Sequence, residues 1–253
     1  MKREQLIDRA IAAGIALLLF GWWEVASRSG WISTLAFPPP SRIIANFGVL
    51  WDQGFLQKVG YTLGRFAAGA VIGAVPAILL GLLVGSRVRL NRIIDPFIAA
   101  MHPIPKIVLF PLFIVIFGVS DVSKLASIAL TVFFPAFINS AAGARSISPL
   151  YFEVVRNYGG RRRQAFWYVL LPGSAPMILT GIRIAANVGL LVTIAIEFTM
   201  TSNGIGSIIW LAWQTMKTED LYAGVVTLSV IGVLINSTIR YILRQVMPWQ
   251  AAG

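Results

Sequence analysis

Seven polar side chains stand inside long apolar runs of this chain: Arg65, His102, Lys106, Asn139, Arg183, Asn187 and Glu197. Polar groups at membrane depth are costly, and by default each raises the question of an ion or solute path. The chemistry open to them is recognition rather than bond-making. His102 is the single histidine and cysteine is absent, which excludes a multi-histidine or cysteine metal site. Neither a G-x-x-x-x-G-K-[ST] phosphate loop nor a G-x-S-x-G elbow occurs, so ATP hydrolysis by this chain alone and a serine triad are both disfavoured. Arg65 lies near an apparent membrane boundary and is expected to snorkel to it. The other six are the candidates for a translocation path, each with a structural reading beside it. Lys106, followed closely by Pro111, is read as either structural or lining a water-filled cavity. Arg183 and Asn187, one helical turn apart, would bond each other or a neighbouring chain. Glu197 is a gate residue or an interfacial anchor, and His102 alone reads as a satisfied interior group.

These residues need membrane elements to hold them. Of 253 residues, 57% are hydrophobic and only 12% charged, against about a quarter charged in soluble domains. Apolar stretches near 10–27, 60–86, 93–119, 122–143, 175–200 and 221–243 are each long enough to span a bilayer. The expected fold is therefore an all-α membrane protein of about six spans, one transmembrane domain over 1–253. The run Ala10–Trp23 follows basic residues as a signal peptide does, but it lacks a small-residue cleavage site and is read as an uncleaved first span.

The net charge of +11 does not point to nucleic acid, because the basic residues sit in short clusters between spans. Thirteen (Lys2, Arg3, Arg9, Arg87, Arg89, Arg92, Arg145, Arg156, Arg161, Arg162, Arg163, Arg240, Arg244) fall on one side, against five (Arg28, Arg42, Lys58, Lys124, Lys217) on the other. The positive-inside rule then places both termini in the cytoplasm. Pro38–Pro40 is a stiff connector, Ser41 reads as a helix N-cap, and Ile43, Ile44, Phe47, Leu50 and Trp51 follow at helical spacing. That helix either lies on the outer interface or packs as a connector. Gly69, Gly73, Ala77, Gly81 and Gly85 form a small-residue stripe, repeated by Gly181, Ala185 and Gly189, suited to close helix packing. Pro76, Pro103, Pro105 and Pro111 interrupt the second and third spans.

The loop 145–172 is the most informative segment. Ser148-Pro149 is a helix start, Leu150, Val154 and Tyr158 line one face, and Gly159-Gly160 breaks the helix. A second short helix then begins at the arginines, and Pro172 is expected to close the unit. An amphipathic helix with a basic rim would lie on anionic lipid or fill a groove on a soluble partner.

The spacing Glu153-Val154-Val155, Gly159, Val169-x-Leu171-Pro172 resembles the E-A-A, G, I-x-L-P loop of binding-protein-dependent ABC importer permeases. Val154, Val155 and Val169 depart from the family's alanines and isoleucine. Further similarity runs along nearly the whole chain, through Trp23-Glu24, Asp95-Pro96, Pro103-Ile104-Pro105, Phe117-Gly118, Thr180-Gly181-Ile182-Arg183, Ile196-Glu197 and Asn203-Gly204-Ile205-Gly206. It looks like the branch that carries nitrate, taurine, alkanesulfonates and bicarbonate, with relatives for pyrimidine precursors. The resemblance implies a type I importer permease in the bacterial cytoplasmic (inner) membrane, non-catalytic and without a cofactor of its own. ATP and magnesium would sit on two partner ATPase subunits, a second permease copy would complete the path, and an extracytoplasmic binding protein would deliver solute. It also implies that Glu153, Val154, Val155, Tyr158, Gly159, Gly160, Arg161, Leu171 and Pro172 form the ATPase-coupling loop.

Overall fold

The computed structural model describes residues 2–200 and 203–246; the side chains of Lys2, Arg3, Arg9 and Arg244, which carry part of the charge asymmetry, lie outside the described set. Among the described residues every regular element is helical. Five segments are long and apolar enough to cross a membrane: within α1 (Lys2–Arg28), α3 (Phe55–Gly85), α6 (Asp121–Arg145), α9 (Leu171–Met200) and α11 (Thr218–Val246). A sixth span is a bent pair, α4 (Val88–Met101) and α5 (Phe110–Phe117) joined through a 3₁₀ turn, with an angle of 83° between the arms. The interruption expected at Pro103 and Pro105 is found, and the extent expected over 93–119 is corrected, since the first arm already begins at Val88. Pro103 and Pro105 each remove a backbone donor and fix φ, so the helix stops and restarts in a new direction.

The core is built around α6. Glycines at 69, 73, 81 and 85 with Ala77 bring α3 against one side: a Cβ on Gly69 would stand 2.5 Å from Ile128 Cγ2, and one on Gly73 would run into the Ala129 carbonyl. On another side Gly181 and Gly189 of α9 approach Asn139 and Val132, with hypothetical Cβ distances of 2.6 and 2.7 Å. Both stripes therefore pack within the chain, and close backbone approach supplies the dispersion contacts that lipid-facing helices need. Ser127, Thr131 and Ser140 of α6 are buried and donate to carbonyls four residues back, so this face stays dry without orphaned hydroxyls.

Two shorter helices brace one end. In α2 (Pro40–Asp52) Ile43 and Leu50 are buried with Phe55, Ile208 and Ala223, while Ile44 and Trp51 face outward. The connector reading holds for one face only. The helix starts at Pro40, not after Ser41, because proline at the first helical position loses no hydrogen bond. Ser41 instead gives its N–H (2.9 Å) and hydroxyl (2.7 Å) to Glu24 of α1, which also pairs with Arg28. The second brace, α10 (Ile205–Gln214), follows the turn after α9 and is buried from Ile205 to Ile209 and at Ala212, while Trp210, Leu211 and Trp213 are exposed.

At the opposite end lie α7 (Pro149–Asn157) and α8 (Arg162–Ala165). The expected stop at Pro172 is a second correction. From Arg162 to Thr199 the chain runs as one 38-residue helical span. Phe166–Leu170 form a π turn, in which the Leu171 N–H reaches back to the Phe166 carbonyl. The wider turn makes room for the Pro172 ring within the first turn of α9, where proline is tolerated.

Candidate functional site

The six path candidates separate into three places. His102, Lys106 and Asn139 line one cavity of ≈ 550 Å³ between the bent span, α6 and α9. Its other walls are mainly apolar, among them Ile107, Phe134, Ile138, Ile184, Val188 and Val192. Lys106 is only 7% exposed. Its ammonium donates to the carbonyls of Met101 (2.6 Å), His102 (3.0 Å) and Ile104 (2.7 Å) and lies 4.3 Å from the centroid of the Phe134 ring. It closes the open carbonyl end of α4, which favours a cation through both hydrogen bonding and the helix dipole. Asn139 gives its amide to the Pro135 carbonyl at 2.8 Å.

Arg183 and Asn187 are not bonded to each other but through Asn236 of α11. Arg183 Nε donates to Asn236 Oδ1 at 3.4 Å, and Asn236 Nδ2 donates to Asn187 Oδ1 at 2.8 Å. Both α9 residues are exposed on the single chain. Asn236 was not singled out by sequence reasoning; an amide in an otherwise apolar last span was the available signal.

Glu197 sits apart from the cavity, at the end where α3, α6 and α9 meet the turn into α10. It is fully buried and accepts from Thr62 Oγ1 (2.7 Å), Arg65 (2.9 Å) and the Gly206 N–H (3.1 Å). Thr62 in turn accepts the Ile205 N–H at 2.9 Å, and Arg65 donates to the Asn203 carbonyl at 2.7 Å. Arg65 also pairs with Asp121 at 3.3 Å, and Asp121 with Lys124 at 2.9 Å. The expectation that Arg65 snorkels is corrected: its side chain is 11% exposed and turns inward to the carboxylate. Gly204, at φ 123, leaves the room Glu197 needs, since a Cβ there would collide with the carboxylate. This clasp ties the start of α10 to the span ends.

The loop end is a separate region that holds none of these six residues. Ser148 caps α7, its hydroxyl accepting from the Leu150 N–H at 3.4 Å, with Pro149 next as the sequence predicts. Gly159, at φ 75, and Gly160 close it: Gly159 N–H bonds to Arg156 O (2.9 Å) and Gly160 N–H to Val155 O (2.8 Å). This is the paired pattern of a Schellman end, which needs a left-handed residue where Gly159 stands. Gly160 is glycine for space, since a Cβ would stand 2.5 Å from Val155 Cγ1. Arg161 donates its N–H to Gln164 Oε1 at 2.7 Å and opens α8. Phe152 anchors α7 on Leu82, Ala144, Leu170 and Ile178. The outward face is apolar and open: Leu150 is 63%, Val154 45% and Tyr158 89% exposed, and Glu153 beside them is exposed too. Leu171 and Pro172 are half-buried at the head of α9.

Among the described residues no group of three acidic or histidine side chains is placed to hold a metal ion.

The chain is similar to known proteins. The taurine transport system permease protein TauC of Escherichia coli (strain K12) is 30% identical over 241 residues, covering 93% of this chain and 87% of that protein. The nitrate import permease protein NrtB of Leptolyngbya laminosa is 29% identical over 197 residues, covering 78% and 71%. The formylaminopyrimidine transport permease protein ThiX of Halalkalibacterium halodurans is 29% identical over 234 residues, covering 92% and 93%. A chain of the MetNI methionine ABC transporter, solved in an inward-facing conformation, matches the fold with a TM-score of 0.62 at 18% identity, over 79% of this chain and 98% of that one. The family model described as "Binding-protein-dependent transport system inner membrane component" matches residues 77–250. With that match and a relative of 30% identity along nearly its whole length, the chain belongs to the inner-membrane permease components of binding-protein-dependent ABC importers.

Proposed function

We propose that this permease imports a small anion, of the kind represented by sulfonates, taurine, nitrate or bicarbonate, and takes its energy from a separate ATPase docked at α7. The observation that carries the docking half is the face of Leu150, Val154 and Tyr158, exposed on a helix that Phe152 holds rigidly against the bundle. The Glu153, Gly159 and Leu171-Pro172 spacing falls on that same unit. Two ATPase subunits, two copies of this chain and an extracytoplasmic binding protein make up the complex. The loop end is cytoplasmic by the distribution of basic residues. ATP and its magnesium belong to the ATPase, and this chain supplies path and lever.

The cavity at Lys106 is the local part of that path. A specific feature also favours a second cargo, a heteroaromatic pyrimidine precursor: the exposed His102 ring and the aliphatic walls give a flat ring a surface to stack on. Vesicles holding the permease, its neighbouring ATPase and its binding protein decide the energy source. Uptake is expected only with ATP inside; uptake driven by a proton or sodium gradient alone would overturn the reading. Calorimetry of the binding protein against taurine, an alkanesulfonate, nitrate, bicarbonate and an aminopyrimidine separates the cargoes.

A further inference from the structure

We infer that Lys106 is the charge-selectivity residue of the cavity, acting through its field while its protons are spent on holding the bend of the third span. The inference rests on reading the cavity as part of the solute path.

Three carbonyl oxygens, from Met101, His102 and Ile104, converge on Nζ within 3.0 Å. A neutral amine has two N–H groups and an ammonium has three, so three acceptors select the charged form. Phe134 adds a ring face at 4.3 Å, which also favours a cation. None of the residues lining the cavity is Asp or Glu. The carbonyl end of α4 offsets only a fraction of a unit charge, about half by the helix dipole. The wall therefore keeps net positive character in a space whose other sides are mainly aliphatic, where water screens poorly. A cleft lined by one sign of charge with low-dielectric walls concentrates ions of the other sign. Since all three protons are used, Lys106 binds no cargo atom directly. It is a positioning residue for the Met101–Lys106 bend and a selectivity residue for what enters beside it.

The chain has no cysteine, so one introduced thiol reports cleanly. Val188 lines the cavity and is 38% exposed, and Val188→Cys places a thiol on the wall opposite the bend. In the reconstituted complex with ATPase and binding protein, labelling of this chain is followed by mass with two reagents of similar size. One is anionic, 2-sulfonatoethyl methanethiosulfonate; the other is cationic, 2-(trimethylammonium)ethyl methanethiosulfonate. The anionic reagent is expected to react faster by about tenfold, relative to the same ratio at Val119→Cys, an exposed position outside the cavity. Lys106→Arg should keep that preference and Lys106→Met should remove it. A merely structural role would change both rates together and leave their ratio alone.

Equal rates with Lys106 intact overturn the selectivity claim even if the complex transports anions. No reaction with either reagent shows that solutes do not reach the cavity, which overturns the path reading first. Should Lys106→Met fail to insert, the reagent ratio in the Lys106 and Lys106→Arg proteins still decides the matter.

Discussion

Replacing Glu197 by leucine is expected to cost about 3–5 kcal/mol of stability, because it takes the buried carboxylate from the Arg65 guanidinium and leaves the Thr62 hydroxyl and the Gly206 N–H without this acceptor. The carboxylate gathers Thr62, Arg65 and the Gly206 N–H in a region from which it is wholly shielded. Leucine offers none of these bonds. Arg65 retains the neutral Asn203 carbonyl at 2.7 Å and Asp121 at 3.3 Å, but Asp121 is mostly exposed and its pair is worth little. Thermal unfolding in detergent should fall accordingly, and hydrogen exchange at Ile205 and Gly206 should accelerate before the rest of the bundle opens. The double variant Arg65→Met/Glu197→Leu should recover part of the loss, since replacing both partners removes the orphaned charge. An unchanged melting profile for Glu197→Leu would show that the clasp is not holding α10.

The second large effect is expected at the loop, and it should leave folding nearly intact. Nothing in the chain lies within 4 Å of a Cβ built on Gly159. The residue is glycine for its φ of 75, which costs a side chain about 1–3 kcal/mol. Gly159→Trp therefore inserts a large ring into space that the chain itself leaves empty. Glu153→Arg reverses a charge that is exposed on the same helix. If α7 enters a groove on the ATPase, either change should reduce ATPase stimulation by solute-loaded binding protein about thirtyfold or more, the effect of losing a contact worth about 2 kcal/mol. Both variants should insert in the membrane as the parent does; Glu153→Arg should melt close to the parent, and Gly159→Trp should lose no more than the cost of its left-handed backbone. Gly159→Asn, which tolerates the left-handed conformation, should retain most of the coupling. Normal stimulation in both the Trp and the Arg variants would remove α7 as the docking element.

The spans were legible because burial in lipid is a local property: length and apolarity suffice, and five of the six apolar runs fall in single helical segments long and apolar enough to cross. The α7 start and stop were legible for the same reason, since Ser148, Pro149, Gly159 and Gly160 act on neighbours in sequence. Two local readings failed where geometry overrode the residue type. Pro172 reads as a terminator, yet a π turn before it absorbs the ring and the helix continues. Ser41 reads as a cap, yet a carboxylate from α1 takes its N–H.

The site was legible only as a set of unusual residue types. Which of them meet was not, because the partners are distant along the chain. Glu197 is joined to Arg65 and Thr62 across more than 130 residues, and Asn187 reaches Arg183 only through Asn236. Hydropathy weights a lysine at membrane depth by its transfer cost. It carries no information on the three carbonyls that a bend nearby would expose to Lys106.

The unbroken helix from Arg162 to Thr199 has a consequence in simple mechanics. Thirty-eight residues at 1.5 Å rise make a rod of about 57 Å, nearly twice the thickness of the hydrocarbon layer. The arginine end stands beside α7, and Glu197 stands two residues from the other end. A tilt of about 10° about its middle swings each end by about 5 Å in opposite directions. If a partner pushes on α7, the motion would reach the clasp along this helix itself. Docking at α7 would then need no relay across the membrane, because one helical span already reaches from that end of the bundle to the other.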